Sequence, residues 1–247
     1  MDGRDGGIAL WLSVSAGRDF MPPTPPDEYS ALMEIDPNLI SQPERYKLLI
    51  GCIVPRPIAF VSTVSPDGKS FNLAPFSFFN GVGSNPMMLL FCPANKLDGT
   101  EKDTLRNCKP VAEGGTGQFV VNAAINAYAQ KVAAASEPLP YGESEFELAG
   151  LSRAPSVKVK PPRVAESPVA FECETAQVIR THPGVDGTAS GNIVIGRVVH
   201  VFVRDDLINE RFHIDPAKLD AIGRMGGLGY TRTRDRFEMP MGREALD

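Results

Sequence analysis

The chain has 247 residues, 43% hydrophobic and 22% charged, with a formal net charge of -5. That is enough for one domain with a substantial core, and the acidic balance excludes a strongly basic nucleic-acid surface. Four scattered cysteines (Cys52, Cys92, Cys108, Cys173) and three histidines (His182, His200, His213) show no metal-ligand spacing, so no metal site is expected.

Residues 1–30 read as a flexible N-terminal extension, and 31–247 as the folded domain. The apolar run Ile8–Leu12 is too short to cross a bilayer and lacks a signal-peptide charge pattern. A proline-rich stretch from Met21 to Pro26 should be extended. Met21 and Met33 are both alternative starts. With no anchor and no disulfide framework, a cytoplasmic setting is expected.

Asp36-Pro37 predicts a short helix or turn, and Glu44–Leu49 a short helix leading to Gly51. Ile58–Val64 is rich in β-branched and aromatic residues. The turn residues Ser65-Pro66-Asp67-Gly68 follow it, and Ser70–Pro75 is the return strand of a hairpin. Met87–Cys92 is a buried strand between two prolines. A short helix begins at Thr104, with Asp103 as the expected N-cap. Gln118–Asn122 is a strand and Ile125–Ala135 a helix.

Residues 137–168 read as loop, anchored by Phe146, Leu148 and Leu151. Val169–Thr181 alternates as a strand, with Glu172 and Glu174 read as a solvated edge. Asn192–Val203 is the longest strand, and Gly196 within it predicts a bulge or a close backbone approach. Asp215–Ala221 is a helical turn ahead of the glycine-rich Gly226–Tyr230. Many strands with short helices between them argue for a mainly β fold, a barrel with helices packed outside it.

Three groups could carry chemistry. The 56–80 stretch sets Ser62, Thr63, Asn72 and Ser77 beside Phe76, Phe78 and Phe79, a mixture suited to a polar, planar ligand. Lys102-Asp103-Thr104 precedes a helix and suits a phosphate. Arg224 and Tyr230 flank three glycines that would let backbone approach a ligand. No GxSxG and no GxGxxG after a strand is present, and His200 reads as a structural histidine within an apolar strand. His213 lies in a polar segment and could face a site.

The ordered blocks Arg56–Thr63, Asn72–Phe79, Lys102-Asp103-Thr104 with Asn107, and Phe119–Asn122 resemble the flavin reductase-like family of FMN-binding split β-barrels. Glu145–Leu151 and Pro162–Pro168 resemble its longer-chain branch, which includes the reductase component of nitrilotriacetate monooxygenase. The resemblance runs from about residue 45 to 231. It implies a homodimeric split barrel and an NAD(P)H-dependent FMN reductase, with a flavin-dependent monooxygenase as partner and NADH or NADPH as donor.

By position, the resemblance implies that Ser62, Thr63, Asn72, Ala74 and Ser77 line the flavin and its ribityl chain. Lys102, Asp103 and Thr104 would hold the phosphate, and Arg224 and Tyr230 would close the site. Shorter members carry Gly-Asp-His before the late strand, where this chain reads Thr188-Ala189-Ser190-Gly191-Asn192. That departure keeps an alternative open, an FMN-binding electron carrier serving a partner protein.

Overall fold

The computed structural model describes residues 33–96, 98–181 and 191–246. The expectations for residues 1–30, for His182 and for Thr188–Ser190 lie outside them. The chain divides into two units at Leu39/Ile40. In the first, the Asp36 carboxylate accepts the Asn38 N–H at 2.8 Å and opens the expected turn, Pro37–Leu39.

The second unit begins with helix α1 (Gln42–Cys52), longer at both ends than 44–49. At its start the Glu44 carboxylate accepts the Ser41 hydroxyl (2.7 Å) and the Ser41 N–H (2.8 Å), which together hold the carboxyl below its usual range. At its end the helix runs through Gly51 because a side chain four residues beyond it satisfies carbonyls of its last turn and cap. The buried Arg56 guanidinium donates to Ile50 O (2.5 Å) and Ile53 O (2.9 Å).

The strands follow as β1 (Arg56–Pro57), β2 (Ala59–Val64), β3 (Phe71–Phe76), β4 (Phe79–Ser84) and β5 (Met87–Phe91). Helix α2 (Asp103–Cys108) leads to β6 (Gln118–Ala123), then α3 (Ala129–Ala134) and α4 (Glu145–Ala149). Two short pairs of residues, β7 (Arg153–Ala154) and β8 (Arg163–Val164), precede the long strands β9 (Val169–Arg180) and β10 (Asn192–Val203). Next come α5 (Pro216–Leu219), β11 (Ile222–Arg224) and β12 (Tyr230–Arg232), and the last described element is a 3-10 helix, Gly242–Leu246. The segment 137–168 is therefore not all loop. Among the described residues no helix is long and apolar enough to cross a membrane.

Seven strands form one antiparallel sheet in the order β3-β2-β6-β9-β10-β5-β4. Its hydrogen bonding stays open; it is not a closed barrel. Yet the edge strands β3 and β4 are consecutive in the chain, from Phe76 to Phe79, a span of at most about 11 Å. The sheet must therefore roll to bring its two edges together at that point. Its inner face is one apolar cluster with Val61, Phe76, Phe91, Phe119 and Val194. Phe91 ties the seam, with its ring 5.2 Å from Phe76 on one side and 5.1 Å from Phe119 on the other.

β2 is buried along its whole length because both of its faces are covered. Ala59 and Val61 face the inner cluster. Phe60 joins a second cluster with Leu73, Val132, Phe146 and Ala149, where α3 and α4 pack on the outside of the sheet. Gly196 meets both expectations for it. The β9–β10 register shifts there, and a Cβ would lie 2.3 Å from Phe119 Cζ.

Glu172 corrects the reading of a solvated edge. Its strand, β9, lies between β6 and β10, and the side chain is 1% exposed. Its carboxylate accepts the N–H groups of Val157 (2.8 Å) and Lys158 (2.6 Å), with His200 Nδ1 at 3.3 Å. Alternation alone could not separate a solvated carboxylate from one that pins a loop.

Candidate functional site

Asn72, Ala74 and Phe76 share one face of β3, and the N-terminal turn of α2 packs against that strand. Together they line a cavity of about 420 Å³, within the range of small-ligand sites. One end carries Lys96, Lys102, Asp103 and Thr104, and Pro138-Leu139-Pro140 forms an apolar wall. The structure thus brings together six of the residues singled out in the sequence: Asn72, Ala74, Phe76, Lys102, Asp103 and Thr104.

The helix start differs in one detail from the expectation. Lys102 is the N-cap and Asp103 the first helical residue, and no side chain caps the turn. The Asp103 carboxylate pairs instead with Lys96 at 3.0 Å. Lys102 takes part in no ion pair among the described residues. Desolvation, and then the charge of Lys96, lowers its pKa. With the Asp103 carboxylate engaged by Lys96, the Lys102 ammonium is left to meet an anion at this end.

Thr104 is buried, and its oxygen accepts from Asn72 Nδ2 at 2.9 Å. That bond orients both partners. With its oxygen occupied as acceptor, the Thr104 hydroxyl keeps a proton to donate, and the Asn72 amide oxygen remains an acceptor. The cavity therefore offers a cation, a hydroxyl donor and an amide acceptor in sequence along one wall.

Ser62 and Thr63 lie elsewhere, both wholly buried. Ser62 donates to Pro162 O (2.5 Å) and accepts from Asn122 Nδ2 (3.2 Å), on the outer side of the sheet. Thr63 accepts from Asn107 Nδ2 at 3.1 Å and fastens α2 to β2. Their polarity serves packing within this chain rather than the cavity wall.

Ser77, Arg224 and Tyr230 form a separate group around the glycine loop. Arg56 donates to Ser77 Oγ (3.3 Å) and to Met225 O (3.0 Å). The Arg224 guanidinium lies 4.5 Å over the Tyr230 ring and donates to Gly229 O at 3.2 Å. β11 and β12 pair as a hairpin beside β1, and Tyr230 lines a different cavity with Asn126 and Arg232. His213 is solvent-exposed and lines none of these cavities.

The sequence reading missed Glu145, because the segment around it was taken as loop. It lines the cavity, is 6% exposed, and accepts the Leu73 N–H at 2.9 Å, covering the free edge of β3. Burial pushes its carboxyl up, the Leu73 bond opposes that, and the charge of Asp103 adds to it. Only a helix starting at residue 145, with Phe146 on the core side, could have signalled an inward Glu145.

The raised value has a consequence for stability. Above the ordinary value of 4.5 the unfolded chain releases this proton while the folded chain still holds it, so stability falls as pH rises through that window. Glu145→Gln keeps an acceptor for Leu73 and removes the cost. Its melting temperature should equal or exceed the parent's at neutral pH, with the advantage vanishing on acidification. An advantage that grows as pH falls would overturn this account.

A family model described as Flavin reductase like domain matches residues 50–232. The crystal structure of nitrilotriacetate monooxygenase component B from Bacillus cereus is similar at 34% identity, over 85% of this chain and 99% of that one, with TM-score 0.78. The 2-nitrobenzoate 2-nitroreductase of Pseudomonas fluorescens is similar at 28% identity, over 85% and 97% of the two chains, with TM-score 0.71. Flavoredoxin of Desulfovibrio vulgaris shares the fold, at 19% identity over 77% and 93% of the chains, with TM-score 0.60.

Proposed function

Because the chain belongs to the flavin reductase-like domain family, matched over residues 50–232, we propose that it is an NAD(P)H-dependent FMN reductase on a split-barrel scaffold. The observation that carries this reading is the single cavity uniting Asn72 and Ala74 with Lys102 and Thr104. Its donor set fits FMN: ammonium and hydroxyl for a phosphate, amide for a ribityl hydroxyl, and apolar walls for a flat ring.

FMN, when bound, supplies the hydride-accepting chemistry. The protein's part is to hold and orient. Lys102, with Lys96 behind it, neutralises the phosphate. Thr104 donates to a phosphate oxygen, and Asn72 fixes Thr104 while accepting from the ribityl chain. Ala74 lets the ring approach β3 closely, and Glu145 keeps that strand edge covered. Asp103 holds Lys96 in place and so tempers the charge. No side chain is required as acid or base.

Mixing the protein with FMN and either NADH or NADPH should oxidise the nicotinamide, read as loss of its absorbance. Failure with both donors despite tight FMN binding would sink the reductase reading. The electron-carrier alternative would then stand. It is favoured by the missing Gly-Asp-His at Thr188–Asn192, and stopped-flow reduction by each nicotinamide separates the two.

The component-B name of the Bacillus cereus protein supports a monooxygenase as the user of the reduced flavin here. A homodimer is part of the same reading. On and just after α1, Tyr46, Leu48, Leu49 and Ile53 are 40–53% exposed, an apolar face suited to a second copy, and sedimentation would read its mass. Four free thiols accord with a cytoplasmic setting.

A further inference from the structure

Among the described residues three carboxylates line the cavity of Asn72 and Thr104: Asp103, Glu137 and Glu145. Asp103 is paired with Lys96, and Glu137 is exposed to water. Glu145 has neither relief. It is 6% exposed and forms no ion pair among the described residues. Its Oε2 accepts the Leu73 N–H, and Oε1 makes no hydrogen bond to another described residue. One bond from a neutral donor does not offset the burial of a full charge.

This carboxyl stands beside the end of the cavity that holds the hydroxyl and the cation. Its partner Leu73 directly follows Asn72, whose amide donates to Thr104 Oγ1 at 2.9 Å. The charge of Asp103 reaches it and acts in the same sense as burial. Nothing packed against α4 neutralises it. β3 presents Asn72, Leu73 and Ala74, none of them charged, and Lys131 of α3 donates to Gly150 O at 2.6 Å. Glu143 and Glu147, to either side of it, are exposed and add only negative charge. Lys96 and Lys102 line the same cavity without pairing with it.

A phosphate entering here brings further negative charge into a space shared with Glu145. Two anions in one poorly hydrated site drive the less stabilised of them to its neutral form. Lys102 and Thr104 hold a phosphate in its charged form, whereas Glu145 has only the Leu73 N–H. The carboxyl is therefore the group that gives way. Once neutral, its Oε2 still accepts from Leu73, while Oε1–H becomes a donor. A group that repelled the ligand then offers it a hydrogen bond.

We propose that Glu145 takes up a proton from solvent when the FMN phosphate binds, so that this one carboxyl couples flavin affinity to pH. The proposal rests on the FMN reading of the cavity and makes Glu145 a positioning residue. No covalent bond in the flavin changes; a proton passes from water to the Glu145 carboxyl. Affinity should fall as pH rises through the window in which free Glu145 ionises and bound Glu145 does not. The phosphate gains its own second charge near pH 6, roughly, which works in the opposite direction. That effect is common to the parent and Glu145→Gln, so their difference isolates the carboxyl.

Calorimetric titration of the full chain with FMN and with riboflavin, which lacks the phosphate, tests this. Each is run in two buffers of different ionisation enthalpy, from about pH 5 to 8, which counts protons directly. FMN binding to the parent should take up more protons than binding to Glu145→Gln. The ratio of parent to variant Kd should rise about three-fold or more across that range. Riboflavin should show no such difference, and Glu147→Gln, an exposed change on the same helix, should match the parent. Net uptake by the parent with FMN and not with riboflavin supports the proposal without any variant, because binding the dianion can only release the phosphate's own proton. Equal proton counts for the parent and Glu145→Gln, an equal difference with riboflavin, or loss of the difference in Glu147→Gln overturns the proposal and leaves the FMN reading intact. Absence of FMN binding to the parent removes that reading and the proposal together.

Discussion

Replacing Lys102 and Thr104 together by alanine is expected to weaken FMN binding by about 2–4 kcal/mol, roughly 30- to 1000-fold in Kd. Charge-assisted contacts to a phosphate are the strongest polar interactions that this cavity can offer, and the pair removes both the cation and the hydroxyl proton. The apo-protein should respond differently at the two positions. Lys102 is exposed, and its pKa is lowered by desolvation and by Lys96, so at neutral pH its charge opposes folding. Lys102→Ala alone should therefore leave the melting temperature unchanged or raised while FMN binding falls.

Thr104→Ala strands the buried Asn72 amide and should cost some stability. Fluorescence titration with FMN, set beside thermal melts of both single variants and the double, separates the two effects. An FMN titration that the double variant leaves unchanged would refute the phosphate assignment.

Phe91→Ala should destabilise the fold by about 3–5 kcal/mol, measured by urea denaturation. Phe91 is wholly buried and lies between Phe76 of β3 and Phe119 of β6. It packs the inside of the rolled sheet where the open edges meet, so no backbone ladder compensates for its loss. Phe76 also lines the candidate cavity, and FMN affinity should fall in a second, smaller step. Phe91→Leu, which retains most of the volume, should keep most of the stability. A loss under about 1 kcal/mol in Phe91→Ala would show that the seam is held by something else.

The hairpin of β2 and β3 was legible because its cues are local: β-branched residues, a Pro-Asp-Gly turn and an apolar return strand. So were β10 and its Gly196, whose cost in an interior strand asks for a reason. Helix α1 was read too short because Arg56, four residues beyond it, supplies partners for its last carbonyls. Glu172 and Glu145 were misread or missed for a common reason. Whether a carboxylate is solvated depends on which loop or edge presents its N–H groups, and those come from Val157, Lys158 and Leu73.

The sequence by itself determined the mainly β character, the family resemblance, and the residue types that a phosphate and a flat ring require. Side-chain chemistry and short-range periodicity carry that information directly. Only the tertiary structure decided which polar groups face the cavity. Asn72 and Thr104 meet across 32 positions and open onto one cavity, while Ser62 and Thr63, equally polar and next to each other, are consumed inside the protein. A strand turns alternate residues to opposite faces, and what covers each face is set by elements far along the chain.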